Sequence, residues 1–174
     1  MTKQRMAIDM DDVMADATGR FIEYVQDRHG KTVGRHELRD KLAEKVGIPY
    51  ADIRSWLYED GFFRGMKPMT DSQAVVRALA EKYDVFIVSA AIEFPQSLRE
   101  KVEWIEEHFP FINWKHIVLC GHKYIIKADY LIDDHEKNLV SFEGKSIVFS
   151  APHNIHLTNY TRVNDWQEVA ALFL

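Results

Sequence analysis

The sequence predicts an α/β protein in which a mainly parallel sheet is covered on both faces by helices, with a small helical insertion after the first strand. Three observations lead there. Short runs of β-branched and aromatic residues alternate with longer stretches whose apolar residues recur at helical spacing. Several helical stretches precede the second strand, more than a single crossover needs. Closely spaced carboxylates follow the first apolar run, at the strand end where an open α/β sheet binds ligands. The predicted division is a core of residues 1–16 and 67–174 with a helical cap of residues 17–66.

Met6 to Ile8 reads as a short buried strand that Asp9 ends. Ala17 to His29 carries Phe21, Ile22 and Val25 at helical spacing and stops at Gly30. His36 to Val46, with Leu38, Leu42 and Val46 on one face, and Tyr50 to Glu59, with Ile53, Trp56 and Leu57 inward, complete the insertion. Asp60 to Met69, punctuated by glycines and a proline, is the returning loop. Thr70 with Gln73 reads as a capping box for a helix bearing Ala74, Val75, Ala78 and Leu79. Asp84 to Val88 is a second buried strand ending at Ser89. The helix Phe94 to Phe109 turns Leu98, Val102, Ile105 and Phe109 to the sheet. Ile117 to Leu119, Tyr130 to Ile132 and Ser146 to Phe149 are further strands, and Asn164 with Gln167 caps a closing helix to Phe173.

A hydrophobic content of 47% suits one domain with a core. The net charge of −5 with scattered basic residues argues against a nucleic acid polymer as partner. The single cysteine, Cys120, forms no intrachain disulfide, which favours a reducing compartment. No signal-like or membrane-spanning run is present, so the expectation is a cytoplasmic chain with no membrane partner. A homodimer stands as an open alternative to a monomer.

Asp9 and Asp11, one residue apart at a strand end, can converge on a hard cation such as Mg²⁺. With the cation present, one carboxylate can attack while the other handles a proton. Asp12 and Asp16 read equally well as caps of the following helix. If the strands are parallel, Asp9, Asp11, Ser89 and the pair Asp133-Asp134 share one rim, with Lys101 and Lys123 on intervening elements. Acids for a cation, a hydroxyl for a phosphate oxygen and lysines for negative charge make a kit for phosphoryl transfer.

In this order, Asp9-Met10-Asp11, Ser89, Lys101 and Asp133-Asp134 resemble the four motifs of the haloacid dehalogenase superfamily. The stretches Asp9 to Asp16, Asp84 to Ile87, Glu100 to Ile105 and Ala128 to Asp134 resemble, more narrowly, the 5'(3')-deoxyribonucleotidase family, and the likeness runs on into Ala151 to Asn154. The resemblance implies a Rossmann-like three-layer core and a Mg²⁺-dependent phosphomonoesterase acting on a small molecule, a nucleoside monophosphate. It implies that Asp9 attacks phosphorus and that Asp11 is the acid and base. Mg²⁺ is then held by Asp9, the Asp11 backbone carbonyl and Asp134, with Asp133 in support. Ser89 holds the phosphoryl group, Lys101 is the third-motif lysine, and Lys123 and the Ala90 position contact substrate.

Four positions depart from the family pattern. Asp12 stands where Gly is usual, Ala90 where a hydroxyl is usual, Glu93 where a lysine contacts phosphate, and Ala17 where an aromatic lines the base pocket. Phe62 and Phe63 are the aromatics available to stack a base. These changes motivate a sugar phosphate or other small phosphomonoester as the alternative substrate. A receiver-like phospho-signalling module would use similar groups, but would carry its acidic pair on the first strand and its phosphorylated Asp later. A degenerate nucleotide-binding member ranks lower, since the hydrolytic residues are all present. His116, His122, His135, His153 and His156 fit no closed zinc motif by spacing.

Overall fold

The computed structural model describes residues 2–35 and 42–174. A six-stranded, wholly parallel sheet forms its centre, in the order β3-β2-β1-β4-β5-β6. The strands are β1 (Arg5–Ile8), β2 (Asp84–Ser89), β3 (Ile117–Leu119), β4 (Tyr130–Asp133), β5 (Lys145–Phe149) and β6 (Thr161–Val163). Strand order reverses beside β1, and the crevice at such a switch point is where doubly wound sheets bind ligands.

Alternation along the strands sends side chains to two cores. Met6, Ile8, Ile87, Ile132, Ile147 and Phe149 face one side. There they meet α4 (Ser72–Lys82), α5 (Ser97–His108) and α7 (Trp166–Phe173). Ala7, Val88, Leu131 and Val148 face the other, thinner layer, built from the short α6 (Glu136–Leu139), Phe142, Cys120 and Leu157.

Between β1 and α4 lie α1 (Ala17–His29), α2 (Leu42–Val46) and α3 (Tyr50–Ser55), followed by a 3₁₀ turn at Trp56–Tyr58. Gly30 ends α1 in the left-handed region, φ 62°, and its N–H reaches the Gln26 carbonyl at 2.9 Å. The predicted helix over 36–46 lies outside the described residues for 36–41; its last turn is α2. Val46, Ile53, Trp56, Tyr24 and Phe62 belong to the same hydrophobic cluster as the sheet, so the apolar core runs unbroken from sheet to inserted helices. The Glu100 carboxylate accepts backbone N–H groups of Gly61, Phe63 and Arg64, and Trp104 Nε1 donates to the Met66 carbonyl at 2.7 Å. Such bonds to a charged acceptor contribute about 1.5–3 kcal/mol each, and they fix the returning loop against α5. None of the described helices is long and apolar enough to cross a membrane.

The structure corrects the expected elements at four places. Thr70 does not cap α4: Asp71 stands at the N-cap with φ 64° and no side-chain cap bond, while Gln73 donates to the His108 carbonyl. The cap of α7 is Asp165, whose side chain accepts from the Glu168 N–H, one residue beyond the expected Asn164 with Gln167. A sixth strand, β6, was not expected. Finally, α5 is rotated about its axis, burying Ser97, Lys101, Trp104 and Ile105 rather than Leu98 and Val102. That rotation carries Lys101 inward.

Candidate active site

Register sets the site. Ile8 pairs with Ile87 and Ile132, so Asp9 leaves β1 level with Asp133 at the end of β4, its N–H bonded to the Ile132 carbonyl at 2.9 Å. Ser89 ends β2 on the other side. After Asp9 the chain turns sharply. Asp12 takes φ 54° and donates its N–H to the Ala15 carbonyl. Asp tolerates this left-handed conformation better than most residues, which accounts for its place where the resembled family has Gly. Its carboxylate is turned to the start of α1, accepting from Thr18 N at 2.8 Å and Thr18 Oγ1 at 2.7 Å. Asp16 caps α1 by accepting from the Gly19 N–H at 2.7 Å. Both outer acids of the motif thus serve the helix. The loop is tied down by Trp166 Nε1 donating to the Val13 carbonyl at 2.8 Å and by Met69 N–H to the Met14 carbonyl at 2.7 Å.

Two buried lysines divide the charge. Lys123 pairs with Asp9 Oδ1 and with Asp133 Oδ2, the latter at 2.6 Å. Lys101 pairs with Asp11 Oδ2 and donates to Ser89 Oγ at 2.9 Å. Both lysines are about 98% buried, at 2% exposure each. Lysine is almost never buried without partners. The resemblance makes Lys101 the third-motif lysine and Lys123 a substrate contact; in the structure Lys123, on the segment following β3, is the lysine that meets Asp9, while Lys101 on α5 meets Asp11 and Ser89.

Asp133 is saturated: besides Lys123, both its oxygens accept from Asn138 Nδ2, at 3.0 and 3.1 Å, and Oδ1 accepts from the His135 N–H. Asp134 is not. Its Oδ1 is buried with no hydrogen-bond partner, as is Asp11 Oδ1. Carboxylate oxygens of Asp9, Asp133 and Asp134 lie within 4.8 Å of one another. Orphaned buried acceptors among an excess of acids are the donor set that a hard divalent cation takes. The residues fit such an ion, with Asp9 and Asp134 able to ligate and Asp133 holding its neighbours.

Electrostatics carry the same message. Burial raises the Asp9 carboxyl well above its ordinary range, Lys123 opposing and the neighbouring acids adding. Burial likewise pushes Asp134 up to about 6, against its bond to His153. Burial would depress Lys123, but Asp9 and Asp133 more than reverse this and keep it protonated. A carboxyl raised in the fold stabilises below its unfolded pKa, and that contribution is lost as pH rises through the folded value. The chain stripped of cations is therefore expected to lose stability between about pH 4 and pH 7. A divalent cation should raise the melting temperature more at about pH 7.5 than at about pH 5. Differential scanning fluorimetry with and without chelator checks this; equal shifts at both pH values would contradict it.

The remaining expected residues fall differently. Phe62 is fully buried among Phe21, Tyr24 and Phe63, with ring centroids 4.9, 5.4 and 5.2 Å away, so as a base-stacking residue it is corrected to core. Phe63, 3% exposed, is likewise corrected from base-stacking residue to core, and lies beneath Lys101, whose Nζ stands 4.7 Å from its ring centroid. Ala90, half-buried, follows Ser89 at the start of a 3₁₀ turn. Glu93 pairs with Arg54 of α3 at 3.1 Å, joining the inserted helices to the β2–α5 loop. Asn138 and Asn154 were not anticipated. Asn154 Nδ2 donates to the Asp134 and Phe149 carbonyls, both at 2.7 Å. The likeness extending over Ala151 to Asn154 was a signal for Asn154; Asn138 offered none.

The architecture matches hydrolases of the haloacid dehalogenase class. A haloacid dehalogenase family hydrolase from Deinococcus radiodurans, with bound phosphate and sodium, superposes with a TM-score of 0.66 at 15% identity over 98% of this chain and 95% of that one. A haloacid dehalogenase-like hydrolase from Streptococcus pneumoniae gives 0.64 at 10% identity, covering 99% of both. At these identities the likeness concerns the fold. Within the class, the family described as "5' nucleotidase, deoxy (Pyrimidine), cytosolic type C protein" (NT5C) matches residues 3–174, and the chain belongs to that family. It is 44% identical over 176 residues to a Staphylococcus aureus protein named "Putative 5'(3')-deoxyribonucleotidase", covering all of this chain and 97% of that one. It is 38% identical over 167 residues to the 5'(3')-deoxyribonucleotidase of Bacillus subtilis, covering 96% of each.

Proposed function

We propose that this chain is a Mg²⁺-dependent phosphomonoesterase that removes phosphate from deoxyribonucleoside monophosphates through a phosphoaspartate intermediate on Asp9. The observation that carries this reading is the pairing of Asp9 with Lys123 beside Asp133-Asp134, next to Asp11 with Lys101 and Ser89, on one rim of the sheet. Family membership and the two nucleotidase relatives support the substrate class.

An Asp9 oxygen attacks phosphorus, the ester P–O bond breaks, and the leaving alcohol takes its proton from the Asp11 carboxyl. Asp11, now ionised, accepts a proton from water as the water oxygen attacks phosphorus. The bond to Asp9 breaks, phosphate leaves, and both carboxyls return to their starting states. Mg²⁺, held by Asp9, Asp134 and the Asp11 backbone carbonyl, would supply charge neutralisation for the phosphoryl oxygens. Lys123 neutralises Asp9 and the transferring group. Lys101 sets the orientation of Asp11 and, with Ser89, donates toward phosphoryl oxygens. Phe63 forms an apolar wall that keeps water from Lys101, and Ala90 leaves room beside the phosphate.

Residues 17–66 act as a cap on a core of residues 1–16 and 67–174, shaping the substrate space above the rim. The cytoplasm, where nucleotides abound, suits the single unpaired Cys120.

Phosphate release with Mg²⁺ from deoxynucleoside 5'- and 3'-monophosphates, ribonucleotides, sugar phosphates and an aryl phosphate tests the substrate claim. Deoxynucleotides are expected to exceed sugar phosphates in kcat/KM by at least about tenfold, a difference of about 1.4 kcal/mol in transition-state binding. A sugar phosphate turned over better than every nucleotide would keep the mechanism and overturn the substrate.

A further inference from the structure

The last residues that β4 and β5 pair in register are Asp133 and Val148. Beyond them a side chain ties the two strand ends together. Asn154 Nδ2 donates to the carbonyls of Asp134 and Phe149, both at 2.7 Å. Asn154 is 1% exposed, and its Oδ1 accepts from the Ala151 N–H at 3.1 Å and from Arg162 Nη1 at 3.0 Å. Both N–H groups and both lone pairs of the buried amide are thus used, and its orientation is fixed by what surrounds it.

Arg162 is the outer end of this chain of contacts. It lies on β6 in register with Val148, so its strand is two removed from that of Asp133. Besides Asn154 Oδ1, Nη1 donates to Ser150 Oγ at 2.9 Å, and Nη2 donates to the carbonyls of Asn154 at 2.9 Å and Leu157 at 2.7 Å. One planar guanidinium therefore gathers the turn of residues 150–157, which lysine, a point charge on a flexible stem, cannot do in the same way. The turn also carries His153, whose Nε2 is 3.1 Å from Asp134 Oδ2 and 3.2 Å from the Asp134 carbonyl. Asp134 is held by its main chain and one carboxylate oxygen, and the other, Oδ1, is buried without a partner.

We infer that Arg162, acting through Asn154, is a positioning residue for the cation site: it fixes the main chain of Asp134 and so the aim of the carboxylate that ligates the ion. The inference rests on the reading of Asp9 and Asp134 as ligands of a hard divalent cation. Hydrogen-bonded neighbours orient metal ligands, and losing one costs about 10–100-fold in affinity. Charge alone predicts the opposite sign. A guanidinium repels a nearby dication, so its removal would tighten cation binding if electrostatics governed. If position governs, removal loosens binding, because Asn154 Oδ1 loses a donor and the amide no longer has one fixed orientation.

The test counts free Mn²⁺ by electron paramagnetic resonance over chelator-stripped full-length protein; Mn²⁺, like Mg²⁺, suits oxygen ligands. Arg162→Met and Asn154→Ala should each raise the Mn²⁺ dissociation constant by at least about tenfold. Arg162→Lys, which keeps the charge, should also weaken binding, by less, and decides the matter alone if Arg162→Met does not fold. The double variant Arg162→Met with Asn154→Ala should lose no more than Asn154→Ala, because the two residues act in series. Val163→Ala, at a buried position beside Arg162 on β6, should lower the melting temperature and leave Mn²⁺ affinity unchanged. Unchanged or tighter binding in the Arg162 variants, additive losses in the double variant, or an equal loss in Val163→Ala would overturn the inference. A parent chain that binds no Mn²⁺ would overturn the cation site and this assignment together.

Discussion

Asp9→Asn is expected to lower kcat by at least about a thousandfold, the scale of losing the nucleophile in covalent catalysis. The fold should survive. Asparagine has the shape of aspartate, and Lys123 keeps its bond to Asp133 at 2.6 Å. In chelator the variant should melt no lower than the parent, since burial makes the ionised Asp9 carboxylate costly to the cation-free fold. Loss of rate with retained stability is the signature of a group positioned for chemistry at the expense of stability. Phosphate release and thermal melts on the same preparation check both halves, and a variant retaining a tenth of the parent rate contradicts the role given to Asp9.

The second large effect is expected at Lys123. Lys123→Met leaves Asp9 and Asp133 buried together without their cation, and removing one partner of such a pair costs about 3–5 kcal/mol. Activity should fall with it. Lys101→Met removes the partner of Asp11, whose side chain is 35% exposed, so water solvates what remains and the stability loss is smaller. Urea denaturation of the two variants at neutral pH separates them. A larger loss for Lys101→Met would reverse the assignment of the two lysines.

The contrast between these lysines also shows how far the sequence could be read. β1, β2 and β4 were legible because unbroken apolar runs ended in chemically distinctive residues, and their parallel order placed Asp9, Ser89 and Asp133-Asp134 on one rim. β6 was not, because it is a three-residue edge strand with only Val163 buried. The caps of α4 and α7 slipped by one residue because neighbouring positions offer competing cap formers, Thr70 beside Asp71 and Asn164 beside Asp165. In α5 the apolar spacing alone favoured Leu98 and Val102. The inward turn of Lys101 depends on partners, Asp11 and Ser89, that lie far off in the chain. The approach of Lys123 to Asp9 likewise follows from the path of the chain after β3. For Asp12 and Asp16, the capping chemistry was readable from composition and position, and Thr18 and Gly19 supply the donors. Phe62 and Phe63 read as candidate stacking residues because an aromatic pair in a loop looks the same in sequence whether exposed or buried, and only the fold places both in the core.

The central claim is that Asp9 takes the phosphoryl group covalently. Rapid acid quench of the Mg²⁺-loaded protein with a deoxyribonucleotide labelled in its phosphate tests it most directly. The account predicts label on the protein within the first turnover, stable in acid, released by hydroxylamine as an acyl phosphate should be, and absent from Asp9→Asn. Full turnover with no label on the protein at any quench time, or label that persists in Asp9→Asn, would contradict it.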